Sequence, residues 1–179
     1  MTATVDGALL ANVHVGGIPR SLDGGATWAP TIDVDSDVHE VRAHPIRANI
    51  VMAAAAVGLC SSRDGGATWE VEHAGLHAPY CSALTFAGDD ILVAAAADHF
   101  APEGAIYRRR VGGPGPLALV GNGLPTWIGG IADTGCIAAR GDAAAVCDKR
   151  GNLYVSADAG QTWSRWGGDM PTPSSVLIV

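Results

Sequence analysis

Ser21-Leu22-Asp23-Gly24-Gly25-Ala26-Thr27-Trp28 returns further along the chain as Ser62-Arg63-Asp64-Gly65-Gly66-Ala67-Thr68-Trp69, with seven of eight positions unchanged. A third copy, Ser156-Ala157-Asp158-Ala159-Gly160-Gln161-Thr162-Trp163, keeps the Ser, the Asp, the second Gly, the Thr and the Trp. Asp23 and Asp64 stand 41 residues apart, and Asp64 and Asp158 stand 94 apart, which is twice 47. A missing copy is therefore expected to centre on residue 111. Arg109-Arg110-Val111-Gly112-Gly113-Pro114 stands there, with the glycine pair retained and the Asp and Trp lost. The approach Ala105-Ile106-Tyr107-Arg108 also parallels Asn152-Leu153-Tyr154-Val155 ahead of the third intact copy. Self-similarity at such a period marks a repeat architecture. The chain carries four repeats, one of them decayed.

Each copy has the chemistry of a tight hairpin. An Asp carboxylate accepts hydrogen bonds from amides of its own turn. The glycines supply positive φ without steric cost. Thr then opens the next strand, and Trp lays a large ring against the sheet. The pattern resembles the Asp-box, or bacterial neuraminidase (BNR) repeat, and the resemblance runs the length of the chain. It implies a β-propeller of the sialidase-like and sortilin-like kind, a group that also holds other glycoside hydrolases and photosystem assembly factors. It implies structural roles for Asp23, Gly25, Trp28, Asp64, Gly66, Trp69, Asp158, Gly160 and Trp163, on the outer edge of each blade between its third and fourth strands.

The repeats also read as strands in their own right. The second predicts strands over 38–44, 50–57, 58–63 and 68–72; the third over 80–86, 91–97, 105–110 and 117–120; the fourth over 136–140, 143–147, 152–156 and 162–166. Four short strands per unit describe a propeller blade. The alanine runs 53–56, 94–97 and 143–145 favour helix by propensity. Their fixed place in the repeat and their Gly or Asp borders make them inner strands buried on both faces. The fold class expected is all-β: a propeller of four-stranded antiparallel blades, four per chain, forming one domain over 1–179. The blades approximate to 1–37 plus 174–179, 38–79, 80–126 and 127–173. The first repeat starts at its second strand, 8–15, with no clear strand before it. The apolar terminus Val176-Leu177-Ile178-Val179 within 174–179 is expected to complete that blade. Closure as a four-bladed ring, exchange of terminal strands between two copies to give eight blades, and membership of a longer propeller all fit this phase.

Composition narrows the function. The 179 residues are 48% hydrophobic and 16% charged, with 24 Gly and 10 Pro, and mean hydropathy is +0.21. That excludes a disordered chain, and no apolar run approaches the roughly 20 residues of a membrane helix. Net charge is −7, and the only basic run is Arg108-Arg109-Arg110. Alternate members of that run face opposite ways in a strand, so no nucleic-acid partner is expected. Cys60, Cys81, Cys136 and Cys147 lack paired metal-ligand spacing and sit beside apolar residues, as buried reduced thiols do. The N-terminus has neither a basic nor a long apolar region typical of a signal peptide. A cytoplasmic location is expected, or a secreted one if the chain is a piece of a longer precursor.

Candidate ligand residues follow from phase, because propeller ligands usually sit at the blade ends opposite the boxes. Sixteen residues after each box centre stand His39, Tyr80, Trp127 and Ser174, where the next blade starts. The loops between second and third strands add His14, the run Asp98-His99-Phe100-Ala101-Pro102-Glu103, and Asp148-Lys149-Arg150. The third repeat is six residues longer than the second, largely in the His99 loop. Such insertions are where repeat proteins place function. Asp33-Val34-Asp35-Ser36-Asp37, followed by His39 and Glu40, begins like a calcium loop. Val38 and His44 occupy the positions that need Gly and Glu, so that reading fails. No metal or cofactor is expected.

A sialidase would need an arginine triad, a Tyr nucleophile with its Glu, and an Asp acid. Arg20, Arg42, Arg63 and Arg140 are present, but none stands in the family's F/Y-R-I-P signature; Gly17-Ile18-Pro19-Arg20 lacks the preceding Arg. Glu40, Asp98, Glu103 and Asp133 could supply a two-carboxylate glycosidase, whose groups lie about 5–9 Å apart. No spacing pairs them, so no catalytic residue is assigned. The sequence favours a module that binds a carbohydrate or protein ligand at its loop face. A sialidase-like glycoside hydrolase, or a fragment of one, is the alternative.

Overall fold

The computed structural model describes residues 1–33 and 35–179; Val34 of the acidic run lies outside the described residues. Two compact units make up the chain, Met1–Glu72 and His73–Val179. Each unit carries two blades, all named strand pairs are antiparallel, and no helix occurs among the described residues.

In the first unit, β1 (Thr2–Ala3), β2 (Leu9–Leu10), β3 (Pro19–Ser21) and β4 (Ala29–Pro30) form one sheet in that order. The next sheet is β5 (Val38–Ala43), β6 (Val51–Ala55), β7 (Gly58–Ser62) and β8 (Glu70–Glu72). In the second unit, β9 (Tyr80–Ala87), β10 (Asp90–Ala96), β11 (Glu103–Arg110) and β12 (Ala118–Leu119) form the third blade. A short β13 (Ile128–Gly129) also pairs with β11, at Glu103 and Gly104. The fourth blade is β14 (Ile137–Arg140), β15 (Ala143–Cys147), β16 (Leu153–Ser156) and β17 (Ser164–Gly167). The chain is an all-β protein of four propeller blades.

The alanine runs form second strands, as expected. Every residue of β6 is buried, and Ala94, Ala95 and Ala96 of β10 are at most 1% exposed. Small side chains on both faces let layers pack closely above and below a strand. In the first unit, Leu10, Ile18, Val38, Val51 and Cys60 share a core with Ala53 and Ala55. In the second, Leu92, Ile106, Ile128, Ile137, Val146 and Trp163 belong to one cluster. All four cysteines are free and buried, and burial pushes the Cys60 thiol up to about 11.

Two expectations about the first blade are corrected. Its opening strand comes from the N-terminus itself: β1 pairs with β2 through Thr2 opposite Leu10 and Ala3 opposite Leu9. The Thr2 hydroxyl also accepts from the Ala43 amide at 3.0 Å, tying β1 to the second blade. The terminal segment 174–179 forms no strand and does not complete that blade. Its Val176 amide donates instead to the Gly135 carbonyl at 2.9 Å, beside the fourth blade, while Leu177 and Val179 are 81% and 95% exposed. The edge of β2 is already occupied by β1, so the apolar tail has no ladder there to join.

Candidate functional site

The Asp-box hairpins sit where the repeat predicted, between third and fourth strands, and their side chains are fully engaged. Ser21, Ser62 and Ser156 each donate a hydroxyl to the following Asp at 2.8 Å. The same hydroxyls accept from the amides of Gly25, Gly66 and Gly160 at 2.9, 2.7 and 2.9 Å. Each Asp then accepts from the Thr amide at 2.8–2.9 Å and the Thr hydroxyl at 2.6 Å. Those Thr bonds, hydroxyl before amide, are the chief reason the Asp23 and Asp158 carboxyls are held at about 2. At Asp64 burial pushes upward, but the Thr68 and Ser62 bonds outweigh it and the value is again about 2. These carboxylates shape turns and are occupied by them.

The tryptophans differ among copies. Trp163 is 6% exposed and part of the second unit's core, Trp69 reaches Thr31 Oγ1 at 3.0 Å, and Trp28 is 41% exposed over its own Gly25 turn. In the decayed copy Gly112 keeps a φ of +74°. Arg108 pairs there with Asp90, Arg110 with Asp89 at 2.8 Å, and Arg109 reaches the Gly115 carbonyl at 3.4 Å. A cleft of about 300 Å³ adjoins these arginines, Asn122 and Gln161. With two of its three guanidiniums neutralised, it is a poor anion site.

At the opposite strand ends of the second unit, the predicted loops come together. The Gly130 amide donates to the Pro102 carbonyl at 2.9 Å, the Lys149 amide to Ile131 at 3.2 Å and the Arg150 amide to Gly129 at 3.1 Å. The Lys149 ammonium donates to the His99 carbonyl at 2.8 Å and lies 3.9 Å from Asp133. Asp148, fully buried, fixes this junction by accepting from the amides of Gly129, Arg150 and Asn152 at 2.8, 3.0 and 3.0 Å. Phe100 stands 89% exposed at the loop tip, edge-on to His99, and Trp127 is 44% exposed where β13 begins. His77, which no spacing singled out, meets Trp127 edge-on at 4.8 Å between ring centroids and bonds the Tyr107 hydroxyl through Nδ1 at 2.7 Å. Burial lowers its affinity for a proton.

The remaining candidates are dispersed among other duties. Tyr80 packs on the small cluster of Ala96, Ala101 and Ile131. Asp98 accepts from the Phe100 amide at 2.7 Å, and Asp133 from the Thr134 amide at 2.9 Å. Glu103 is exposed at the start of β11. Glu40 is 6% exposed and bound by Arg42 through contacts of 2.9 and 2.6 Å. In the first unit, His14 Nδ1 and His39 Nε2 approach the same Asp37 oxygen at 2.9 and 3.3 Å. Among the described residues these three form the group whose donor atoms lie close enough together to hold a metal ion, all within 4.8 Å. His14 and His39 were legible as loop-face residues. In the sequence Asp37 is one member of an acidic run, and distance along the chain hides its convergence with His14.

Box hairpins in register on four-stranded antiparallel sheets define a BNR/Asp-box β-propeller. Comparison with known proteins agrees: the BNR/Asp-box repeat family model matches residues 154–165. Among solved structures, an ancestral GH74 enzyme superposes with a TM-score of 0.66 at 14% identity, covering 94% of this chain and 25% of that one. The GH74 enzyme of Niastella koreensis gives 0.62 at 15% identity, over 88% of this chain and 27% of its own. The GH74 xyloglucanase of Xanthomonas campestris gives 0.62 at 17% identity, over 89% and 28%. The chain spans about a quarter of the length of each. At these identities the likeness is one of fold. No curated protein matches the sequence.

Proposed function

We propose that this chain is a carbohydrate-binding propeller module whose ligand rests on the loop face of the second unit, across 98–103, 127–131 and 148–150. The observation that carries this reading is the exposed aromatic pair, Phe100 at 89% and Trp127 at 44%, on loops locked together by backbone hydrogen bonds. Large apolar rings held in water on a rigid loop face are poor for stability and good for recognition. Aromatic faces stack on the C–H faces of sugar rings, while Lys149 and Glu103 supply polar contacts at the rim. The fold shared with a xyloglucanase directs the choice of ligand to β-glucan oligosaccharides.

The alternative is a glycoside hydrolase or a fragment of one, favoured by the same GH74 likeness. Against it, Asp98 Oδ1 and Asp133 Oδ1 each accept from an amide of their own loop, a structural use of both carboxylates. Calorimetric titration with xyloglucan oligosaccharides, beside a reducing-sugar assay, separates the readings. The binding module gives saturable heat without turnover, and Phe100→Ala and Trp127→Ala each weaken affinity about fivefold or more, since truncating an aromatic hot spot costs more than about 1 kcal/mol. Turnover that disappears in Glu103→Gln or Asp98→Asn would replace this reading with the hydrolase.

A further inference from the structure

We propose that His14, Asp37 and His39 form a binding site for a zinc-class divalent transition-metal ion, with one coordination position left open to solvent. The site lies in the first unit and goes beyond the carbohydrate reading, which concerns the second.

The argument begins with the local chain. His14 stands in a turn closed by the Val13 amide on the Gly17 carbonyl at 3.0 Å. The next residue, Val15, has a φ of +47°. A β-branched residue in the left-handed region is a conformational outlier, held there only by its surroundings. His39 is the second residue of β5, and Asp37 immediately precedes that strand. The Asn12 side-chain amide donates to the His39 and Val38 carbonyls at 2.8 and 3.4 Å. The Ala56 amide donates to the Asp37 carbonyl at 3.0 Å, and the Gly17 amide to Ser36 at 3.3 Å. The backbone around all three donors is therefore fixed before any ion arrives, as an effective metal site requires.

The donor geometry fits a small ion. Nitrogen and oxygen ligands about 2.0–2.2 Å from a tetrahedral zinc stand about 3.3 Å from one another. Here Asp37 Oδ1 lies 2.9 Å from His14 Nδ1 and 3.3 Å from His39 Nε2, and all three donors fall within 4.8 Å. Two ring nitrogens directed at one carboxylate oxygen form a concave, electron-rich corner. The His39 side chain is 7% exposed and acts as a buried anchor, whereas His14 at 77% exposure leaves a path for entry and for a water or anionic oxygen in the fourth position. Two imidazoles and a carboxylate suit zinc and its transition-metal neighbours. Calcium and magnesium need more oxygen ligands than this corner offers.

The test is calorimetric titration of the full chain with zinc chloride after chelator treatment, repeated with cobalt(II) while visible absorption is recorded. One ion per chain is expected at micromolar concentration, with tetrahedral cobalt bands. His14→Ala and His39→Ala should each weaken binding at least about tenfold. His73→Ala, an exposed histidine outside the cluster, should leave binding unchanged. The mostly solvated His14 side chain makes His14→Ala safe for folding, which circular dichroism verifies. Absence of uptake at micromolar zinc, or uptake indifferent to His14→Ala, overturns the proposal. Neither result bears on oligosaccharide binding by the second unit, and loss of sugar binding leaves the metal site untouched.

Discussion

Ser62 illustrates what a single box residue does. Its buried hydroxyl caps the Gly66 amide and orients Asp64, so Ser62→Ala strands a buried N–H and frees the carboxylate. A loss of about 1–3 kcal/mol is expected from thermal or denaturant unfolding. Ala159 offers the opposite case. It sits at φ +56° where the first two copies place Gly24 and Gly65 at +72° and +70°. Ala159→Gly removes left-handed strain at the cost of backbone entropy and should raise stability by about 0.5–1 kcal/mol, read as a higher melting temperature. The three box carboxyls also set acid sensitivity. Their folded values near 2 lie below the ordinary 3.8, so the folded chain binds fewer protons than the unfolded one. Their contribution is complete above about pH 4 and disappears as pH falls toward 2. Stability measured across that window should fall less steeply for Asp64→Asn than for the parent.

Strands were legible where burial leaves a pattern several residues long. The second strands of blades two, three and four fall within a residue or two of their expected limits because buried alanine runs, Gly or Asp borders and the box phase all agree. β1 and β13 escaped because two residues carry no periodicity. The tail misled for a related reason: Val176-Leu177-Ile178-Val179 is apolar, but the ladder edge it was expected to join is taken by β1. Of its side chains, Val176 packs on the second unit's core. Removing 174–179 should therefore cost the second unit about 1–2 kcal/mol. Amide exchange in Met1–Glu72 should be unchanged; faster exchange at β1 or β2 would restore the idea that the tail completes the first blade. The loops that meet in the second unit were legible from box phase, which assigns them to one end of the blades. Their partners were not: Asp37 with His14 and His39, or Asp148 beneath Gly129, arise from convergence between separate loops.

For the molecule as a whole, repetition divides the labour. Box turns engage the Asp, Ser and Thr of the three intact repeats in holding hairpins, which leaves the opposite strand ends free to vary, as in the His99 insertion. The two units then present different chemistry: two imidazoles and a carboxylate in the first, and exposed rings beside Lys149 in the second. The ligand reading rests on the latter. It is best tested by recording amide spectra of the isotopically labelled chain during titration with a xyloglucan oligosaccharide. Saturable shifts confined to 98–103, 127–131 and 148–150, without cleavage of the sugar, are the predicted result. Shifts centred on the box hairpins, or none at millimolar sugar, would contradict it.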